Sequence, residues 1–154
     1  MTPEERAEYI QIYRDGYSKV VEALDGITED ELDRKPEPNE WSPRMIVHHL
    51  ADSEMTSAIR LRLLIASDEP EITGYDEGRF ARDLHYDRPI EASLAALKAA
   101  RNSTAEILDR LTEEDWLRKG THTESGDYGV EMWLRIYAAH GLDHANQIAA
   151  ARSS

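Results

Sequence analysis

Apolar positions recur at helical spacing in four long stretches of the chain. In the first, Tyr9, Ile12, Tyr13, Gly16, Val20, Ala23 and Leu24 fall on one face. Pro3 and the acids Glu4, Glu5 and Glu8 suit a helix first turn, so the spacing predicts a helix over 4–25, ending before Gly26. Thr28 and Glu31 form a capping-box pattern for one short turn, and Pro36 and Pro38 mark a loop. Ser42 and Pro43 then supply an N-cap and a first helical residue. The second helix runs from there to about 67, through Ile46, His49, Leu50, Ile59, Leu63 and Leu64. Leu94, Leu97, Ile107, Leu108 and Leu111 predict a third helix over 90–111. Trp133, Ile136, Tyr137, His140, His144 and Ile148 predict a fourth over 129–150.

The connections differ in length. Residues 68–89, with Pro70, Gly74, Gly78 and Pro89, are too long for a bundle hairpin and read as a crossover, with one helical turn near 76–81. Thr112 and Asp115 open another capped turn, and 118–128 reads as loop. A weak internal repeat accompanies this order. Thr28 to Leu32 echoes Thr112 to Trp116, and Arg44, His49 and Asp52 echo Arg135, His140 and Asp143. These features predict an all-α protein: a single four-helix-bundle domain over 1–154, built as two helical hairpins joined by a long crossover.

Composition narrows the function. The chain has 31 acidic and 18 basic residues, a formal charge of −13, which disfavours nucleic acid and anionic lipid as partners. No apolar run is long enough to span a membrane, and the polar, charged segment 1–14 shows no signal-peptide core, so a cytoplasmic location is expected. Cysteine is absent, so disulfides, thiolate metal sites and a cysteine nucleophile are excluded. The glycines at 74 and 78 lack the flanking elements of a phosphate loop, and no serine elbow occurs.

What remains is histidine. His140 and His144 lie one helical turn apart on one face, a spacing at which two imidazoles can share a metal ion. Gly141 stands where a zinc protease carries its glutamate, so the protease reading fails. A third imidazole is available on the second helix from His49 or His48, which are about 100° apart around the axis and cannot both serve. Three neutral imidazoles with open positions make a catalytic type of metal site. Asp52 and Asp143 each follow a candidate ligand by three residues, a position from which a carboxylate can orient an imidazole or act as general base. Asp143 also adjoins His144, which turns it toward another face. His122 is expected to be a solvated loop residue, and Trp41, Trp116 and Trp133 are assigned to packing.

The stretch Trp41 to Glu54, the later His140 and His144, and the intervening Gly74-Tyr75-Asp76-Glu77 resemble the DinB-like superfamily, in particular its YfiT-like branch of metal-dependent hydrolases. The resemblance spans essentially the whole chain. It implies a four-helix bundle and a divalent ion, zinc or nickel, on His49, His140 and His144. It implies a small-molecule substrate and frequent homodimers. Some relatives are thiol-dependent transferases, so a low-molecular-weight thiol is an expected co-substrate under that reading. The competing reading is a non-catalytic bundle that keeps its metal site as a binding or stress-response module.

Overall fold

The computed structural model describes all 154 residues. In chain order the elements are α1 (Pro3–Leu24), α2 (Glu29–Leu32), α3 (Pro43–Ala66), β1 (Glu71–Ile72), α4 (Glu77–Asp83), α5 (Glu91–Leu108), α6 (Glu113–Trp116), β2 (Lys119–His122), β3 (Gly126–Gly129) and α7 (Val130–Arg152). The long helices α1, α3, α5 and α7 form the expected four-helix bundle. Their starts follow from local chemistry. Thr2 and Glu5 close a capping box on α1, and Ser42 caps α3 with Pro43 at its first position. The two echoing turns are real, with Thr28–Glu31 and Thr112–Asp115 both forming reciprocal capping boxes.

The pairing of helices departs from two adjacent hairpins. α1 packs most extensively on α7, α3 packs on both α5 and α7, and α1 also touches α5. Going round the bundle the order is therefore α1, α7, α3, α5, so α1 and α3 lie on one diagonal and α5 and α7 on the other, while α3 and α5 are neighbours. Side-chain contacts fix the directions. Arg6 meets Glu131 and Arg152 meets the carbonyl of Ala23, so α1 and α7 run parallel. His48 meets Ser93 and Arg62 meets Thr104, so α3 and α5 are parallel too. His49 meets His140 while Trp133 donates to the Ser57 carbonyl, so α3 and α7 are antiparallel. A parallel neighbour must be reached by travelling back along α3, about 36 Å for its 24 residues. Residues 67–90 make that journey, which explains the length of the crossover.

The stretch 118–128 is not loop. β2 and β3 form an antiparallel hairpin, with Gly120 opposite Tyr128, and β1 from the crossover joins β2 in parallel, with Ile72 opposite His122. The strands are too short and too rich in glycine and polar residues to announce themselves, and pairing with the distant β1 completes the sheet. Alternation along β2 turns His122 inward, where it is buried against the Tyr128 ring. α4 occupies the predicted helical turn of the crossover, capped by Asp76. No helix is long and apolar enough to cross a membrane.

The core is divided along the bundle axis. One apolar cluster contains Tyr13, Leu61, Leu64, Leu108, Trp133 and Leu134, and the other contains Val20, Ile46, Leu50, Leu97, Ala145 and Ile148. Between them lies a buried polar layer. Arg101 of α5 pairs with Glu54 of α3 at 3.0 Å, both at most 3% exposed in their side chains. The Tyr13 hydroxyl of α1 donates to Glu54, and Arg101 donates to the Tyr137 carbonyl of α7. Burial pushes the Glu54 carboxyl above its ordinary value, an effect opposed by Arg101, Tyr13 and Ser57. Glycines at 16 and 141 leave room for the guanidinium. A Cβ would stand 1.9 Å from Arg101 Nη1 at Gly16 and 2.3 Å from it at Gly141.

Two measurements check this layer. Arg101→Met leaves Glu54 buried without its counter-charge and should cost about 3–5 kcal/mol in urea denaturation. Gly141→Ala should cost roughly 1–3 kcal/mol despite its better helix propensity, because its Cβ would also meet Gly16 Cα at 2.9 Å. A gain in stability for Gly141→Ala would contradict the packing described.

Candidate metal centre

α3 carries His49 in its second turn, and α7 carries His140 and His144 one turn apart, on either side of its midpoint. Because α3 and α7 are antiparallel neighbours, these positions come to one level. His140 Nε2 lies 3.1 Å from His144 Nε2 and 3.4 Å from His49 Nε2. All three residues offer ligand atoms within 4.8 Å of one another. Two imidazole nitrogens bound to one tetrahedral zinc at 2.0–2.1 Å stand about 3.3–3.4 Å apart. The donor set therefore suits a divalent ion in both chemistry and spacing. A single proton on His140 Nε2 cannot bridge both neighbours, so mutual hydrogen bonding does not account for the arrangement.

The rest of the site orients these rings. His144 Nδ1–H donates to Gln147 Oε1 at 2.7 Å, which leaves Nε2 as the bare, lone-pair nitrogen. The Trp41 ring packs on the His49 ring at 4.7 Å between centroids, and the Tyr137 ring approaches His140 at 5.9 Å. Nδ1 of His49 and of His140 are buried without a hydrogen-bond partner. Burial lowers the His49 pKa to about 4, with His144 adding to the effect, and the His140 pKa to about 3, with His144, His49 and Arg101 adding to it. Burial also lowers His144, opposed by its bond to Gln147 and by the carboxylates of Glu77 and Asp143. At neutral pH the rings are uncharged, the form a metal requires.

His48 takes no part. It is fully buried on the other side of α3, with Nδ1 at 2.7 Å from Ser93 Oγ and Nε2 at 2.9 Å from the Arg88 carbonyl. Both neighbouring histidines thus face inward, toward different elements. The carboxylates do not orient imidazoles. Asp52 accepts a hydrogen bond from the Tyr86 hydroxyl at 2.8 Å, and Asp143 is exposed; neither is hydrogen-bonded to an imidazole. Three residues after a ligand, a short side chain has turned some 60° away from it, toward the crossover for Asp52 and toward solvent for Asp143. Two further residues shape the site: Gln147, which its position three residues after His144 makes legible in the sequence, and Trp41, whose packing is against a candidate ligand.

A family model described as the DinB superfamily matches residues 12–148. The chain belongs to the DinB superfamily. This DinB chain is 36% identical over 122 residues to a protein of Oceanobacillus iheyensis named "putative metal-dependent hydrolase", a match covering 79% of this chain and 71% of that one. A Bacillus cereus protein of the same name is 28% identical over 144 residues, covering 94% of this chain and 83% of its own. Among solved structures, YfiT from Bacillus subtilis matches with a TM-score of 0.88 at 26% identity, over 97% of this chain and 89% of that one. YfiT is described as a probable metal-dependent hydrolase with an unusual four-helix bundle topology. In this DinB chain α1 and α3, and likewise α5 and α7, lie on diagonals, while the crossover joins the parallel neighbours α3 and α5.

The depressed imidazoles have a consequence for the metal-free protein. An unfolded histidine binds its proton near pH 6.5, whereas folded His49 and His140 resist protonation down to about 4 and about 3. Between those values the unfolded state binds more protons, so stability falls as pH falls. Urea midpoints of the chelator-treated protein should be highest above pH 6.5 and decline steadily from there toward pH 4. A His49→Leu variant should show a shallower decline, and an unchanged slope would contradict the burial of that ring.

Proposed function

We propose that this protein is a metal-dependent hydrolase of small molecules, with one divalent ion, zinc or nickel, held by His49, His140 and His144. The observation that carries this reading is the convergence of three neutral imidazoles, with Nε2 separations of 3.1 and 3.4 Å, between two antiparallel helices. The relatives named as metal-dependent hydrolases support it. The chemistry supplied by an ion on such ligands is acidification of a water or thiol and polarisation of a carbonyl. Three uncharged ligands suit that task, because they leave both positive charges of the ion uncompensated.

The chain's own residues shape the rest. No cysteine or carboxylate joins the three-histidine group, so positions stay open for substrate. Gln147 holds the His144 ring with its lone pair toward the centre, and Trp41 and Tyr137 shield the His49 and His140 rings from water. Thiol-dependent transfer would use the same three histidines with a low-molecular-weight thiol, because the chain has no cysteine of its own.

Metal analysis and turnover test the proposal together. The purified protein should carry about one equivalent of zinc or nickel, and His144→Ala should lose it, since two imidazoles hold a divalent ion poorly. Asp52→Asn and Asp143→Asn should keep their metal with affinity within a few-fold of wild type, because neither carboxylate supports a ligand. Gln147→Ala should weaken binding by roughly 10–100-fold. Hydrolysis of small activated esters without added thiol supports the hydrolase reading. Turnover of electrophiles only with thiol present favours transfer. Stoichiometric metal with neither activity would favour a binding module, and absence of metal at all would overturn the reading.

A further inference from the structure

We infer that Arg60, together with the hydroxyls of Tyr128 and Tyr137, forms a carboxylate-binding subsite beside the histidine centre, so that the substrate is a small carboxylate-bearing molecule. The inference rests on the functional reading above and specifies its substrate class.

Arg60 lies on α3, half-buried, and its side chain spans to α7 and to the crossover. Nη1 donates to the Tyr137 hydroxyl at 3.1 Å and Nη2 to the Thr73 carbonyl at 2.8 Å. Nε is buried and has no partner. No carboxylate forms an ion pair with this guanidinium, whereas the buried arginines Arg6, Arg44 and Arg101 each hold at least one. In a chain of 31 acids and 18 bases, the buried Arg60 Nε has neither a counter-charge nor an acceptor. Beside it lies the Tyr128 hydroxyl, on a residue only 4% exposed, close to Arg60 and Tyr137 but in good hydrogen-bond geometry with neither. Two unspent buried donors and one uncompensated cation thus share one place, and each is costly unless an acceptor completes it. A carboxylate supplies both the charge and the acceptor oxygens.

The placement connects this group to the histidines. Tyr137 precedes His140 by one turn, with their rings 5.9 Å apart. Tyr75 packs under the Arg60 guanidinium at 5.7 Å, with its hydroxyl beside Ser53, one turn from His49. Three turns of α3 separate Arg60 from His49, and side chains on a helix lean toward its N-terminus, so Arg60 reaches back over part of that distance. The gap left is on the order of 10 Å. That length suits a substrate whose carboxylate is several bonds from the reacting group. The overall negative charge of the protein repels such a molecule at long range, so its recognition requires a local, desolvated cation of this kind.

The experiment follows the Arg60 Nε–H resonance of the 15N-labelled full chain, assigned by its disappearance in Arg60→Lys. Butanoate, its uncharged analogue butanamide, and inorganic phosphate are added in turn, with and without zinc. Butanoate should shift the resonance saturably and butanamide should not. Tyr128→Phe, which keeps the ring and the fold, should weaken butanoate about tenfold. The proposal is overturned if butanoate gives no saturable shift, if butanamide shifts the resonance equally, if phosphate binds more tightly than butanoate, or if Tyr128→Phe binds as wild type. Zinc affinity, measured separately, isolates the other reading: butanoate saturation in a protein that binds no zinc would sink the metal centre and leave the subsite standing.

Discussion

The ion pair between Arg101 and Glu54 is the constraint around which this bundle is arranged. It lies between two apolar clusters, and its partners come from all four long helices: Tyr13 on α1, Glu54 and Ser57 on α3, Arg101 on α5 and the Tyr137 carbonyl on α7. Removing two charges from water offsets much of their attraction, so the pair's net contribution is small beside the cost of leaving either charge unpaired. Only a helix order that brings these four levels together satisfies it. An alternative packing in the same hydrophobic register would leave a buried charge exposed to hydrocarbon.

That layer also explains residues that chemistry at the site does not. Gly141 sits between His140 and His144 on a helix where alanine would be the better former. It is required because Arg101 passes within 2.3 Å of where its Cβ would be, and because Gly16 of α1 lies against it. The close approach of α1 and α7 at these glycines sets the position of the turn bearing both α7 histidines. The structural layer and the candidate metal centre are therefore neighbours on α7, with Tyr137 belonging to both: its carbonyl accepts from Arg101 and its ring faces His140.

Topology supplies the remaining parts of the site. Exchanging α1 with α5 and α3 with α7 preserves the neighbour order and the directions, in keeping with the echo between the two halves of the sequence. Because α3 and α5 are parallel, the crossover must return along the bundle, and on the way it lays Thr73, Tyr75 and Glu77 beside the α3–α7 face. Strand β1 pins the crossover to the β2–β3 hairpin, and the Gly74 amide donates to Thr123 Oγ1. The wall of the site is thus built from segments far apart in sequence.

Local chemistry was written in the sequence by itself. The helical periodicity around Tyr13, Leu50, Leu97 and Ile148, the caps at Ser42, Thr28 and Thr112, and the one-turn spacing of His140 and His144 depend only on residues within a turn or two of one another. They fixed four long helices, a single bundle and two of the three converging imidazoles. The tertiary structure decided which helices are neighbours, because periodicity shows that a face is buried without naming what buries it. It chose between His48 and His49 by giving the first Ser93 and Arg88 and the second the α7 histidines. It turned Asp52 to Tyr86, made a sheet of three strands too short to be visible alone, and gathered Arg60, Tyr128 and Tyr137 from three elements. Each of these outcomes rests on contacts between residues distant in the chain, and their energies exist only once the bundle has closed.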